Sequence, residues 1–225
     1  MRPIFKLKFL LLITLLFSLS ACTSTCSKSS SDDEGTGAVK APDISSNAKE
    51  VLDMTNTVNE PKILAAYFSC TGNTRSAAQQ IAGALKADIH EIKPEEPYTS
   101  ADLNWRDNSS RSSMENSDPS SRPAISENIK DIGQYDIIFL GYPIWWGQSP
   151  RIILTFLESY DFSGKTIIPF CTSGSSGVGT SDTNLHKHCS DNTKWISGSR
   201  LNSNSSHSAI TAWIIGLELG ITLEP

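Results

Sequence analysis

From residue 61 onward the chain alternates short apolar runs with stretches of helical period, and few folds satisfy that alternation. Ile63, Leu64, Ala65, Ala66, Tyr67 and Phe68 form a continuous apolar run, closed by polar residues and Gly72. A run of this kind, without polar alternation, suits a strand buried on both faces. Ala77, Ala78, Ile81, Ala82 and Leu85 then share one face of a helix that starts near Asn73 or Thr74. Residues 87–92 read as a second strand, and residues 136–140 as a third, bounded by Gly141 and Pro143. Pro150 fits the first turn of another helix, with Ile152, Ile153, Phe156, Leu157 and Tyr160 facing the core and Gly164 after its end. Residues 165–171 give a fourth strand, residues 195–201 a weaker fifth, and a helix from about Ser206 carries Ile210, Trp213, Ile214 and Leu217. Strands alternating with helices on both faces make a three-layer α/β domain on a parallel sheet. Ligands of such domains bind beyond the carboxyl ends of the strands, where the strand order reverses.

The N-terminal region has another character. Arg2, Lys6 and Lys8 precede a nearly unbroken apolar run from Phe9 to Phe17, the charged-then-apolar order of a secretory signal and too short to span a bilayer. Leu19, Ser20, Ala21 and Cys22 follow, and this tetrad resembles the lipobox of bacterial lipoproteins. The resemblance implies cleavage after Ala21 and a diacylglycerol on the Cys22 thiol, hence a lipid-anchored chain in the bacterial cell envelope; the competing expectation is an ordinary signal peptide with a chance cysteine. Residues 23–60 hold no aromatic residue and are dominated by Ser, Thr, Asp, Glu, Lys and Gly. So little apolar area cannot offset the entropy of ordering a backbone, which predicts a flexible tether over residues 22–60 and a folded domain over 61–225.

Charge narrows the partners. The whole chain has 19 Lys and Arg against 24 Asp and Glu, and removal of residues 1–21 deletes three cations, leaving a mature charge of −8. A surface this acidic is not one for nucleic acid. Residues 93–131, rich in Ser, Asn, Asp and Arg, are too long for a plain connection and read as a surface excursion; Arg106, Asp107, Arg111 and Glu115 are expected on its solvated face.

Three loops that follow strands carry the chemistry. Ser69, Cys70, Thr71, Gly72, Asn73 and Thr74 stand between the first strand and the first helix, where free amides, hydroxyls and a glycine that admits close approach suit a phosphate. Neither a Walker loop nor a GxGxxG is present. By itself this loop leaves the class of phosphate ligand open. After the third strand, Pro143, Ile144, Trp145, Trp146 and Gly147 place adjacent indoles on a shaped loop, suited to a planar ring, with one of the two Trp expected to fill the core. After the fourth, Thr172, Ser173, Gly174, Ser175 and Gly177 offer backbone donors with little bulk.

Ser69 to Thr74 resembles the flavodoxin phosphate loop, T/S-x-T-G-N-T, and Trp146-Gly147 resembles the Trp-Gly pair that covers the flavin in that family. The segment GYPIWWG is similar to that of lipoprotein-type flavodoxins. The resemblance spans roughly residues 62–217 and implies a flavodoxin-like fold with a five-stranded sheet in the order 2-1-3-4-5. It further implies FMN as cofactor, with the phosphate in the first loop, the ring on the second and the ring edge along the third. Gln148 stands where many relatives carry Asp, and no stacking Tyr occurs in the third loop, so Gly and Ser are expected at the ring edge there.

The resulting expectation is a membrane-tethered electron carrier serving a redox partner protein or a small-molecule acceptor. An acidic, water-poor pocket would give it a low potential for the last reduction step. The rival is an NAD(P)H-dependent FMN oxidoreductase of the quinone-reductase kind, and a third possibility is a flavin-free binding module. No acid, base or nucleophile is required, since the cofactor supplies the redox chemistry. No metal site is expected: His186 and His188 point to different sides of a helix. Cys70 and Cys171 are expected as small buried fillers, and with Cys22 lipidated the remaining four cysteines allow three pairings.

Overall fold

A computed structural model describes residues 60–202, 204–221 and 223. The expected signal peptide, the lipid-anchor residue Cys22 and the tether up to residue 59 lie outside the described residues. β1 (Ile63–Tyr67) is buried along its whole length because it has neighbours on both sides and helices on both faces. It pairs in parallel with β2 (Asp88–Glu91) and β3 (Ile137–Pro143), and β3 pairs in parallel with β4 (Thr166–Thr172). The sheet order β2-β1-β3-β4-β5 is the expected one, with β5 (Lys194–Trp195) at the edge.

The fifth position is shared by two short segments, β5 and β6 (Ser199–Arg200), both parallel to β4. Pro169 explains the break. Ile167 and Cys171 accept on this side from the amides of Ile196 and Leu201, and Pro169 has the same parity but no N–H to donate. The register slips by one residue across it, from Ile167 opposite Trp195 to Phe170 opposite Ser199.

Strand parity sorts the two apolar layers. Leu64, Ala66, Phe68, Ile138 and Leu140 meet Ile152, Ile153, Phe156 and Leu157 of α3 (Arg151–Glu158). Each such side chain contributes about 1.5–3 kcal/mol of transfer free energy, which is what holds so short a helix. On the other face Ile63, Tyr67, Phe139 and Phe170 pack on Ala77, Ala78 and Ile81 of α1 (Asn73–Leu85) and on Ile210 and Ile214 of α4 (His207–Gly216). Position 141, of the same parity as Phe139, is a glycine because Phe170 leaves no room for a side chain: a Cβ there would stand 2.2 Å from the ring. Tyr160, expected in the α3 stripe, lies past the helix end, where its hydroxyl oxygen accepts from the Ile129 amide at 2.7 Å. Among the described residues no helix is long and apolar enough to cross a membrane.

The excursion is closed at its neck by an antiparallel bridge between Pro94 and Ile125, with Glu95 and Ser126 donating to Ala124 and Lys93 at 2.9 Å each. It holds one short helix, α2 (Arg111–Ser117), capped by the Ser110 hydroxyl, which accepts from the Ser113 amide.

Candidate functional site

The first loop turns at Gly72, whose φ of 87° is a left-handed conformation that a side chain would resist. The turn is held by the Gly72 amide donating to Ser69 Oγ at 3.1 Å and by the Ser76 amide donating to the Gly72 carbonyl at 2.9 Å. Helix α1 therefore begins at Asn73 with no side-chain cap and no acidic residue in its first turn. Its leading amides have no intrahelical acceptor and form the positive end of the helix dipole, where an anion is favoured. A Cβ built on Gly72 would meet nothing within 4 Å, so the space over the turn is open. Asn73 Nδ2 reaches Thr71 Oγ1 at 3.4 Å.

The second loop is a tight reversal. Trp145 and Gln148 exchange both backbone hydrogen bonds at 2.9 Å, with Trp146 and Gly147 between them at φ 46° and 77°. Two successive left-handed residues are what a two-residue hairpin turn of this hand requires. The indoles separate as expected: Trp145 packs edge-on against Phe68 and Tyr98, with centroids 5.7 and 5.5 Å away, whereas Trp146 stands 43% exposed at the tip. Trp146 thus holds a conformation that costs an L-residue about 1 kcal/mol or more, at the place where a ring could stack on it.

The third loop is joined to the first through Thr172 at the end of β4. Thr172 Oγ1 and Thr74 Oγ1 lie 2.8 Å apart, both buried. Ser173 Oγ donates to the Ser176 carbonyl, which folds the loop back, and Ser181 at its far end donates to the Val178 carbonyl at 2.7 Å.

These loops meet at the C-terminal ends of β1, β3 and β4, around the point where the strand order reverses, and two adjoining hollows of about 430 Å³ each open there. Thr71, Pro143, Ile144 and Trp145 belong to both. The first adds Ser69, Cys70, Thr74 and Trp146; the second adds Asn73, Thr172, Ser173 and Gly174. Of the sequence-predicted residues, Gly72 and Gly147 shape the turns without lining a hollow, and Ser175 and Gly177 are exposed and line neither. Every lining side chain is uncharged.

Five lining residues escape the sequence reading: Leu103, Trp105 and Ser112 from the excursion, and Asn202 and Asn204 after β6. The excursion is also less solvated than its composition implies. Arg111 and Glu115 form a pair at 2.7 Å with side chains only 22% and 12% exposed, the Tyr98 hydroxyl donates to Glu115 at 2.5 Å, and the guanidinium lies 4.0 Å over the Tyr98 ring. Burial and this bond hold the Tyr98 hydroxyl well above its usual range. Arg151 at the start of α3 donates to the carbonyls of Glu115 and Asn116 at 3.1 and 2.8 Å. The expectation of a solvated face is corrected for Arg111 and Glu115, and it holds for Arg106 and Asp107, which are exposed. An (i, i+4) spacing of Arg111 and Glu115 was the available signal.

Among the described residues Cys70, Cys171 and Cys189 are unbonded thiols. Cys171 is buried as expected, whereas Cys70, in the first loop, is only half-buried and lines the first hollow; burial pushes its thiol up to about 12. His186 stacks on Trp195 at 4.5 Å and His188 Nδ1 sits 2.8 Å from Glu158, so both are structural.

A parallel sheet with its order reversed between β1 and β3, and a hollow at that reversal bordered by an uncapped helix start, defines a doubly wound α/β ligand-binding protein. The chain belongs to the flavodoxin family, whose model matches residues 62–217. It is similar to a crystal structure from Bacteroides eggerthii of a protein assigned as a flavoprotein, at 46% identity over 71% of this chain and 99% of that one, TM-score 0.67. A second such protein, from Bacteroides uniformis, is 46% identical over 69% of this chain and 99% of that one, TM-score 0.66. A Lactobacillus acidophilus flavoprotein solved in complex with FMN is 25% identical over 62% of this chain and 93% of that one, TM-score 0.46. No curated protein matches the chain.

Proposed function

We propose that this chain is an FMN-binding electron carrier anchored to the cell envelope through a lipid on Cys22. One observation carries the cofactor assignment. The uncapped start of α1, the Thr71, Thr74 and Thr172 hydroxyls and the indole-bearing reversal at Trp145 and Trp146 converge on one neutral cleft. The donor set fits a phosphate on a flavin: amides and hydroxyls at one end, flat apolar groups at the other. Flavodoxins of the same strand order hold FMN at the corresponding switch point.

In this reading Ser69 to Thr74 hold the phosphate, with Cys70 contributing packing. Pro143, Ile144, Trp145 and Trp146 bound the ring, with Gly147 shaping the turn that carries them, and Thr172, Ser173 and Gly174 lie along its edge. FMN, when bound, supplies reversible one- and two-electron chemistry. The protein excludes water with Trp145 and Ile144 and presents the ring near the exposed Trp146, where a partner protein or small acceptor can approach. Because the lining side chains are neutral and the mature chain carries −8, added electrons meet negative potential, and the final reduction step is expected below that of free flavin.

Reconstitution with FMN followed by stepwise reduction tests the reading. Two separate one-electron uptakes support a carrier. Rapid reduction by NAD(P)H would replace it with the reductase alternative, and a protein that stays colourless would leave only a flavin-free module. For the anchor, Cys22→Ala should move the chain from the membrane fraction to the soluble fraction; an unchanged distribution refutes the lipid.

A further inference from the structure

Building on the FMN assignment, we propose that the β2–β3 excursion completes the cofactor site: Trp105 packs on the flavin ring and the Ser112 hydroxyl hydrogen-bonds the ring's polar edge. Ser112 is 2% exposed and lines the first hollow, and its Oγ has no hydrogen-bond partner. Of the unpartnered buried side-chain polar atoms among the described residues, this alone belongs to a residue lining either hollow. Native structures rarely strand a buried hydroxyl, and those that do commonly reserve it for a ligand or water. The buried Thr74 and Thr172 hydroxyls, by contrast, have each other as partners at 2.8 Å.

The Ser112 backbone is fixed where the hydroxyl is needed. Its amide donates to the Asp102 carbonyl at 3.0 Å, and the flanking Arg111–Glu115 pair and the Arg151 contacts pin α2 to the rest of the domain. A serine hydroxyl both donates and accepts, and the pyrimidine edge of a flavin offers carbonyl acceptors and an imide donor. Trp105 is 64% exposed, with the Arg106 guanidinium 4.7 Å over its ring, and it borders the same hollow as Trp146 and Ile144. A large indole held at the rim of an apolar slot gains area when a planar ring enters.

The test is titration of the full chain with FMN and, separately, with riboflavin, which shares the ring and lacks the phosphate, together with thermal melting of the flavin-free protein. Ser112→Ala should weaken binding of both flavins by about 3- to 10-fold, the loss of one hydrogen bond, while leaving the flavin-free melting temperature unchanged or higher because an unpaired hydroxyl is gone. Trp105→Ala should weaken both by roughly 10-fold and reduce quenching of the bound flavin's fluorescence. Thr74→Val is the contrast: it should weaken FMN more than riboflavin. Variants at 105 and 112 that bind both flavins within about twofold of wild type overturn the proposal. So does a Ser112→Ala protein that melts lower yet binds normally, since that assigns the residue to packing. Wild type that binds neither flavin overturns the FMN reading itself.

Discussion

Replacing Thr74 with valine removes a hydroxyl while keeping the side chain's shape and β-branch. In the structure that hydroxyl lies 2.8 Å from Thr172 Oγ1, with Thr74 1% and Thr172 5% exposed. The substitution strands Thr172 Oγ1 in a dry environment, which costs about 1–3 kcal/mol, or roughly 2–12 °C in a domain of this size. In the proposed site it also removes a donor to the phosphate; a hydrogen bond to a charged group contributes about 1.5–3 kcal/mol, so FMN affinity should fall about 10- to 150-fold. The double variant Thr74→Val, Thr172→Val separates the two effects. With both hydroxyls gone nothing is stranded, so the flavin-free stability should return to within about 1 kcal/mol of wild type, whereas FMN affinity should not recover. Urea denaturation of the flavin-free protein and fluorescence titration with FMN read the two quantities. If affinity recovers together with stability in the double variant, the threonines act on FMN only through folding, and the assignment of a phosphate donor fails.

Three further outcomes follow from the geometry. Gly141→Ala places a methyl 2.2 Å from the Phe170 ring and should lose about 3 kcal/mol, the upper end of overpacking costs, with Phe170→Leu in the same chain recovering part of it; equal denaturation midpoints for Gly141→Ala and wild type contradict the packing described. Trp146→Gly relieves the left-handed φ of 46°, so flavin-free stability should change by less than about 1 kcal/mol while FMN binding weakens several-fold; unchanged binding would remove Trp146 from the site. Burial pushes Cys70 and Cys171 up to about 12 and Cys189 to about 11, whereas unfolded thiols ionise near about 8.5. The unfolded chain sheds these protons first, so stability is retained below about pH 8.5 and falls as pH rises toward about 11–12; alkaline denaturation of a Cys171→Ala, Cys189→Ala variant should start later, and an identical profile would refute the thiol contribution.

The elements legible in the sequence are those whose burial leaves a periodic or continuous apolar trace. β1, β3 and β4 are covered on both faces, and α1 and α3 present one apolar stripe each, so their residues declare them. The fifth strand is faint because Pro169 of its neighbour withholds a donor at mid-strand, an effect that depends on pairing and not on residues 194–200 themselves. Two of the three site loops carry their chemistry in consecutive residues, which is why Ser69 to Thr74 and Pro143 to Gly147 could be read together. Trp105 and Ser112 could not. They reach the hollow through tertiary contacts, the Arg111–Glu115–Tyr98 cluster and the Arg151 bonds, and lie in a Ser- and Asn-rich stretch whose composition resembles solvent-facing chain. Asn202 and Asn204 follow β6, whose register is set by the slip across Pro169, which no local pattern reports.

The most direct test of the whole account is the visible absorption spectrum of the purified chain titrated with FMN. The account predicts a saturable perturbation of the flavin bands at one FMN per chain, with quenched flavin fluorescence, and loss of that saturation in Thr74→Val at the same FMN concentration. A spectrum that remains the sum of free FMN and protein at every ratio contradicts it.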